Sequence, residues 1–367
     1  FENSPSSVSA TLTVSNCVFA ENYRIDDRYI NENVISGIGG GAFIRNWKKV
    51  VMDGCVFTNN CNKFDFAVTS SGMDGVSAAA LYLFNSTVSA NNCRFCFNHG
   101  GTGNASNMGG IVAFASKTEG SAFTNCLFMG NIEQWHMNTG PGWNGGAIRI
   151  ETGSTNVPVE IVNCTVFANL SDGTACSGGI NVRSGAVKVR NSIVFANKVG
   201  QNRAADAGDD LLVHTNAVAD VVNTIFTSRE SVTNRLGGRI VLGGGVVFDD
   251  ARLATTYAEV TNSIADVSGS QGAATWFKPE RRAAVMAFNA HLRGGRGYFD
   301  EQTGELVTDY MQGQNSPAID AGDLESDYSR EPDCQQGWHG RRQNLGYYGN
   351  TPWATMTAYP GSVITIR

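Results

Sequence analysis

Basic side chains on alternating strand positions are the first residues in this sequence that could do chemistry. Lys188 and Arg190 stand two positions apart in a strand-like segment, and Arg149 stands in another such segment. Residues two apart on a strand face the same side of a sheet, so Lys188 and Arg190 would present their charges together. A polysaccharide lyase uses a base to remove the proton beside a uronate and a cation to neutralise its carboxylate. These three residues are therefore the catalytic candidates for a lyase, and the alternative is an ordinary solvated strand face.

Acidic residues offer a second chemistry, glycoside hydrolysis, which needs two carboxylates roughly 5–10 Å apart. The available acids are Glu151, Glu160, Asp206, Asp209 and Asp210. None of them stands in a hydrolase or lyase motif. The sequence therefore favours a non-enzymatic protein and leaves the polysaccharide-active enzyme as the alternative.

Aromatic residues between the strand-like segments are candidates for binding. Tyr23, Tyr29, Trp135, His136 and Trp143 stand among glycines and amides. Aromatic faces beside Asn, Asp and Gln suit sugar rings, because rings stack on them and amides hydrogen-bond the hydroxyls. We expect these residues to contact a glycan or another partner, and the alternative is that the tryptophans pin their loops onto the fold.

Three aspartates near the C-terminus are candidate calcium ligands. Calcium favours clustered carboxylates and carbonyls, and Asp320, Asp323 and Asp327 could supply them. The alternative is that these residues end turns and accept backbone N–H groups. Zinc is not expected, because Cys93 and Cys96 would point apart on one strand and no second pair follows. No other cofactor is predicted.

One seven-residue motif organises the chain and must position these side chains. In the copy at 163–169 it begins with Asn-Cys, carries an apolar residue three positions on and ends with Asn. It recurs between Asn16 and Asn262 with a mean period of about 35 residues, which is typical of stacked repeats. The first asparagines and the cysteines of the copies are Asn16, Cys17, Cys55, Asn92, Cys93, Asn125, Cys126, Asn163, Cys164, Asn191 and Asn223.

Stacking of these copies predicts the fold. Parallel strands lie about 4.8 Å apart, so equal positions of successive repeats would meet. The small residues would form one interior column, the apolar residues a second, and the asparagines amide ladders at turns. Glycine pairs at 145–146 and 178–179 introduce further alternating strands. Short strands without helical periodicity predict a parallel β-helix, since leucine-rich repeats need a leucine frame and propeller blades need longer strands.

Excess residues fall repeatedly at one place in the repeat, between the second asparagine and the glycine pair. The segments are 23–38, 61–77, 99–108, 132–144, 170–177 and 198–207. Insertions stacked at one corner would form a continuous wall of loops, where repeat proteins usually place their binding function.

The repeat resembles that of the chlamydial polymorphic outer-membrane proteins. The resemblance rests on Gly-Gly-Ala-Ile at 145–148 and on Phe-x-x-Asn, as at 19–22, 57–60, 95–98 and 128–131. It implies an autotransporter passenger with a right-handed β-helix and an adhesin role, over roughly residues 10 to 265. The predicted architecture is thus all-β, a single right-handed parallel β-helix of about eight to ten turns with long loops at one corner.

After Asn262 the repeat fades, and the sequence Asn-Ser-Pro-Ala-Ile-Asp-Ala-Gly-Asp at 315–323 is similar to the closing segment of many secreted bacterial β-helix proteins. We therefore divide the chain into repeats at 1–265 and terminal turns with a capping segment at 266–367, leading to a further domain or an anchor. A cap is expected because a stack of repeats ends in unpaired strand edges and apolar columns.

Composition limits the partners. The net charge of −6 and the lack of a basic cluster argue against nucleic acid, and no apolar run reaches the roughly 18 residues of a spanning helix. We expect an extracellular or cell-surface bacterial protein, a stalk, adhesin or assembly subunit. Its partners would be polysaccharides, a cell surface or identical subunits.

Overall fold

The computed structural model describes most of the chain. The described residues are 10–25, 38–63, 77–102, 112–115, 118–135, 146–171, 176–200, 208–235, 237–264, 289–308, 314–332 and 342–356. The described chain is all-β, as predicted, with large parallel sheets. Helix is limited to Tyr257–Ile264 and a 3-10 turn at Arg229–Ser231 in these residues.

Sheet 1, the largest, has 14 described strands arranged in two parallel strips. The first strip contains Thr11–Ser15, Lys49–Asp53, Thr87–Asn91, Ala122–Thr124 and Val159–Val162. The second strip contains Val18–Ala20, Val56–Thr58, Arg94–Cys96, Leu127–Met129 and Thr165–Phe167. The strips merge in the long strands Ala186–Phe195 and Val218–Phe226, and the sheet ends with Arg239–Leu242 and Val247–Phe248.

Two further parallel sheets complete the repeats. Sheet 2 contains Ala42–Arg45, Leu81–Phe84, Val112–Ala115, Ile148–Glu151, Ile180–Ser184, Leu211–Val213 and Val232–Asn234. Sheet 3 contains Tyr23–Ile25, Cys61–Lys63, His99–Thr102, Ile132–Trp135, Leu170–Ser171 and Lys198–Val199. Two small pairs are separate, parallel Ile38–Gly39 with Ser77–Ala78 and antiparallel Tyr298–Phe299 with Leu306–Val307.

The chain visits the sheets in a constant order. Leu81–Phe84 of sheet 2 is followed by Thr87–Asn91 and Arg94–Cys96 of sheet 1, and then by His99–Thr102 of sheet 3. The next strand, Val112–Ala115, pairs in parallel with Leu81–Phe84. This repeat therefore adds one strand to each strip of sheet 1 and to sheets 2 and 3, beside the matching strands of the repeat before it.

The predicted apolar column is present in the second strip. Phe19, Phe57, Phe95 and Phe128 are register partners in consecutive strands. Their rings stack nearly parallel with centroids 4.6, 4.9 and 4.8 Å apart. The spacing equals that of neighbouring strands, so identical side chains pack on one another through the core.

The two asparagines of the motif have different roles. The first lies at the corner between the strips with a positive φ, for example 53° at Asn92 and 51° at Asn125, and Gly54 takes the same conformation where no asparagine is present. Asparagine and glycine adopt this left-handed conformation more readily than other residues, so the corner selects them. Amide ladders were expected along both asparagines of the motif. The first asparagine instead provides the positive φ that the backbone needs at the corner.

The amide ladder runs along the second asparagine, just before sheet 3. Each side-chain Nδ2 donates to the next Oδ1 over 2.8 to 3.0 Å. The members in order are Asn22, Asn60, Asn98, Asn131, Asn169, Asn197 and Asp210. Asp210 ends the ladder, because its carboxylate accepts from Asn197, Ser231 and the Thr227 amide and has no N–H with which to continue.

The cysteines at one repeat position lie beside one another in the corner between the strips. Cys55, Cys93, Cys126 and Cys164 are buried in the core, and Cys17 is exposed at the first described repeat. A hydrogen bond with Cys126 lowers the pKa of the Cys93 thiol, whereas burial raises the pKa of Cys126 well above its usual value. The column packs small apolar groups where a larger side chain would not fit.

The glycine pairs mark a close approach between repeats. A Cβ on Gly146 would lie 2.1 Å from the Ser177 carbonyl oxygen, and one on Gly179 would lie 2.4 Å from that of Asp210. Only glycine allows the chain to enter sheet 2 so near the next repeat.

The C-terminal residues lie along the side of sheet 1. We call the described residues 289–308, 314–332 and 342–356 the lateral segment. The second strip turns apolar side chains away from the main core, and the lateral segment buries them. This second core includes Leu127, Met129, Phe167, Ile193 and Ile225 of sheet 1 and Leu292, Ala318, Leu345 and Tyr347 of the lateral segment.

Corner asparagines hold the lateral segment in place. Asn125 Nδ2 donates to the carbonyl oxygens of Tyr347 and Gly349 at 2.9 and 2.7 Å. Asn191 accepts from the Asp323 amide at 2.8 Å and donates to Ser326 Oγ at 2.9 Å. The described residues of the segment cover a side of sheet 1, where they bury outward apolar residues. The expectation that 266–367 caps the end of the repeats stays a prediction.

Candidate functional site

The aromatic residues predicted to line the corner insertions are mostly beyond what the structure describes. Tyr29, His136 and Trp143 lie outside the described residues. Tyr23 begins one strand of sheet 3 and pairs with Cys61, and Trp135 ends another. The structure thus places Tyr23 where the chain enters sheet 3 and Trp135 where the chain leaves it for the insertion corner.

The predicted lyase residues are not brought together. Lys188 and Arg190 lie on Ala186–Phe195 of sheet 1, whereas Arg149 lies on Ile148–Glu151 of sheet 2. Lys188 stands in register between Glu160 and Asp220, which surrounds its charge with opposite charge on neighbouring strands. A single catalytic set of these three residues does not fit this arrangement.

Arg149 belongs instead to a charged cluster on the outer face of sheet 2. Ile148 and Ile150 are core residues, so alternation directs Arg149 and Glu151 to the opposite face. Arg149 Nη2 lies 2.6 Å from Glu151 Oε2, and Arg183 Nε lies 3.5 Å from Glu151 Oε1. Arg149 is only 1% exposed, whereas the Glu151 side chain is 35% exposed and that of Arg183 21%. The cluster therefore extends from solvent to a fully buried guanidinium.

Sheet 3 contributes a buried glutamate to the same place. Glu133 lies on Ile132–Trp135, is 1% exposed and stands in register with Ser171. Burial raises its pKa well above the ordinary glutamate value, and the Arg149 charge and the Ser171 hydroxyl lower it only in part. We call Glu133, Ser171, Arg149, Glu151 and Arg183 the junction cluster, because its residues come from sheet 3 and sheet 2. In the sequence, Glu133 precedes the insertion at 136–145 and Arg149 follows it.

An aromatic patch adjoins the junction cluster on sheet 2. Tyr82 is two strands from Arg149 in the same register column, and its ring stacks on Phe43 with centroids 5.4 Å apart. Burial raises the pKa of Tyr82 to about 12, with Arg149 acting in the opposite direction. Arg45 lies over the ring of Phe84, 5.4 Å from its centroid. The outer face of sheet 2 thus combines flat rings with charged groups.

The junction cluster can donate and accept hydrogen bonds, and it can carry a proton. Glu133 keeps its proton to higher pH than an ordinary glutamate, and Glu151 lies between two guanidinium groups. Sequence analysis did not single out Glu133. Its signal was an acidic residue at a repeat position held elsewhere by Arg24, Asn62, Gly100, Ser171 and Val199.

The three aspartates considered as calcium ligands lie in turns or just before them in the described structure. Asp323 Oδ1 accepts from the Glu325 amide at 3.0 Å, and Asp327 Oδ1 accepts from the Ser329 amide at 2.9 Å. Asp320 takes a positive φ of 53°. Within the described ranges, no group of three or more His, Cys, Asp or Glu side chains is arranged to hold a metal ion.

Comparisons with known proteins add no assignment. No protein-family model matches the chain, and neither the curated proteins nor the solved structures give a match. Among the described helical residues there is also no segment with the length and apolarity to cross a membrane.

Proposed function

We propose that the three sheets are the faces of one right-handed parallel β-helix of about eight to ten turns. The constant order of visits and the in-register parallel pairing of successive repeats support this fold. Right-handed crossovers make up about 98% of parallel connections within one sheet, which supports the hand. The long insertions would then align at the corner between sheets 3 and 2.

We further propose that the protein is a non-enzymatic structural protein or adhesin at a bacterial surface or outside the cell. The observation that carries this proposal is the unbroken ladder from Asn22 to Asp210, which fixes the register of every insertion corner. A rod so constrained presents its loops, and the rings and charges on sheet 2, as one surface for glycans, a cell surface or identical subunits. The repeat and closing-segment resemblances agree with an exported bacterial protein.

A polysaccharide lyase or glycoside hydrolase is the second candidate, and the junction cluster favours it. A glutamate with a raised pKa and a second carboxylate in the same cluster are groups that acid–base catalysis uses. Against it, Glu133 and Arg149 are each only 1% exposed. A catalytic group must reach its substrate, so the binding role ranks first.

The test is to pass the purified protein over immobilised acidic and neutral polysaccharides while following product release. We expect retention without new reducing ends and without the absorbance of unsaturated uronates. Cleavage that disappears in Glu133→Gln would overturn the ranking in favour of the enzyme. Absence of both retention and cleavage would contradict a glycan-binding adhesin, and self-association at rising concentration would then identify an assembly subunit.

A further inference from the structure

The main hydrophobic core comes to the surface at both ends of the stacked repeats. In the middle repeats its members are fully buried, as Phe95 and Ile161 are at 0% exposure. Among the described apolar residues, those that pack against this core while only partly buried lie towards the first and last turns. They are Leu12, Phe19 and Trp47 near the first turn, and Ile240, Leu242 and Val246 in the last. The stack therefore has two incompletely covered ends.

The same two ends carry strand edges that lack a second partner. At the first end, Thr11–Ser15 and Val18–Ala20 each pair only with a strand of the following repeat, among the residues that the structure describes. At the last end, Arg239–Leu242 and Val247–Phe248 pair only with Val218–Phe226 within the described strands. The outer N–H and C=O groups of such edge strands are a template for a further strand.

The two ends present the same columns of side chains. In-register pairs lead without a break from Phe19 to Phe248, and from Val14 to Leu242. An aromatic residue thus stands at both ends of one column, and an aliphatic residue at both ends of the other. Two copies placed end to end would stack these residues as successive repeats already do, with strands about 4.8 Å apart.

The end surfaces are large enough for a specific contact. A standard protein–protein interface takes roughly 20 to 30 residues from each side. The first turn comprises the described residues 10–25 and 38–45, and the last comprises 229–235 and 237–250, so each supplies about that many. The contact would continue the parallel sheets that join successive repeats, so it would add strand hydrogen bonds to the apolar area.

We propose that these two ends bind each other in different copies of the chain, the first turn of one copy on the last turn of another. Thr11–Ser15 then pairs in parallel with Arg239–Leu242, and Val18–Ala20 pairs with Val247–Phe248. A head-to-tail contact of this kind leaves a free end on every assembly, so it builds an open filament. This inference rests on the proposed structural function and selects identical subunits as the partner.

The first experiment is sedimentation velocity of the purified chain over a range of concentrations. In the proposed register the exposed Glu21 and Asp250 approach each other, since each lies two residues beyond its matched phenylalanine. The measurement is therefore made at about 1 M salt, where the Debye length is about 3 Å. We expect a series of species that grows with concentration. A chain that stays monomeric up to its solubility limit, or association that stops at a dimer, would overturn the inference.

Two charge variants test the register of the contact. Thr13 and Val241 are exposed and stand at opposite ends of one column, so they meet only between copies. Like charges directly opposite each other in a sheet are destabilising, and opposite charges are stabilising. At about 0.15 M salt, where close pairs are less screened, Thr13→Glu with Val241→Glu should weaken association at least threefold. Thr13→Glu with Val241→Lys should restore it, and equal association of the two double variants would contradict the register.

Truncation of one column end tests the apolar part of the contact. Phe248 is 36% exposed, and Phe248→Ala removes the last ring of its column, so association should weaken at least fivefold. Leu306→Ala is the control, because Leu306 is an exposed apolar residue of the lateral segment, and it should associate as wild type does. Thermal unfolding would check that every variant is folded.

An unchanged association of Phe248→Ala would overturn the inference. Retention on polysaccharide columns by a chain that stays monomeric would refute the end-to-end contact alone and leave the proposed adhesin role standing.

Discussion

At the residue scale, Glu133 is a buried ionisable residue at a position of the repeat in sheet 3. Its neighbours in register are Gly100 and Ser171, which are both small. Burial raises the pKa of Glu133, and this effect outweighs the opposite effects of the Arg149 charge and the Ser171 hydrogen bond. Glu133 is the acidic residue at this position, and Arg24 is an ionisable residue at the same position of an earlier repeat.

The raised pKa of Glu133 predicts a pH-dependent stability. The folded protein holds the Glu133 proton to higher pH than the unfolded chain does. The contribution of this proton to the free energy of unfolding is therefore fully present below the unfolded glutamate pKa of about 4.3, and it is lost as the pH rises through the folded pKa. Glu133→Gln keeps the neutral form at every pH. We expect it to be more stable than wild type, by a difference that grows as pH rises above about 4.3.

Urea unfolding at several pH values between 4 and 9 would measure this difference. Glu305→Gln is the control, because Glu305 is exposed, and its difference from wild type should stay flat. A constant difference for Glu133→Gln as well would contradict the raised pKa.

At the scale of the elements, the motif predicts columns but not which asparagine faces inward. Both asparagines recur in most copies of the motif, so periodicity alone cannot separate a corner residue with positive φ from a ladder residue. Burial separates them: Asn92 is exposed, whereas Asn98 of the same repeat is 1% exposed. The phenylalanine column was predictable because large apolar residues that recur on short strands are most often buried in the core.

Removal of one ladder amide should destabilise the fold strongly. Asn131 accepts from the Asn98 amide and side chain and donates to the Phe95 carbonyl oxygen and to Asn169. Asn131→Ala leaves these buried partners unpaired, so the free energy of unfolding should fall by about 3 kcal/mol or more. Asn92→Gly is the control, since glycine accepts the positive φ, and it should cost less than about 1 kcal/mol.

Chemical denaturation of the two variants would give both values. Similar losses would mean that the ladder contributes no more than the corner, contrary to its description as a buried network.

At the scale of the whole molecule, the lateral segment was the feature that the sequence predicted least well. The closing motif at 315–323 indicated an end, and the decay of the repeat suggested a cap. The outward column of the second strip contains Val18, Val56, Arg94, Leu127, Thr165, Ile193 and Ile225, so polar residues interrupt the apolar signal for a lateral cover. Val18 remains 64% exposed, while Ile193 and Ile225 are fully buried under the segment.

The lateral segment should therefore be part of the global stability. Leu345 is 2% exposed in the second core, and Leu345→Ala removes buried volume there, so the free energy of unfolding should fall by about 2–4 kcal/mol. Leu324→Ala is the matched control in the same segment, 74% exposed, and should change stability by less than about 0.5 kcal/mol.

Thermal unfolding followed by circular dichroism would compare the two leucine variants. Equal melting temperatures would show that the segment is held too loosely to stabilise the repeats.

The lateral segment also sets the order in which the protein can be finished during synthesis. Chains emerge from the ribosome N-terminus first, so the strands with Leu127, Phe167 and Ile225 appear well before Leu345 and Tyr347. Repeats can stack as they emerge, yet their outer apolar strip stays bare until the last part of the segment arrives. For that interval the stacked repeats of the nascent chain expose an apolar strip, and completion of the fold depends on how quickly the lateral segment covers that strip.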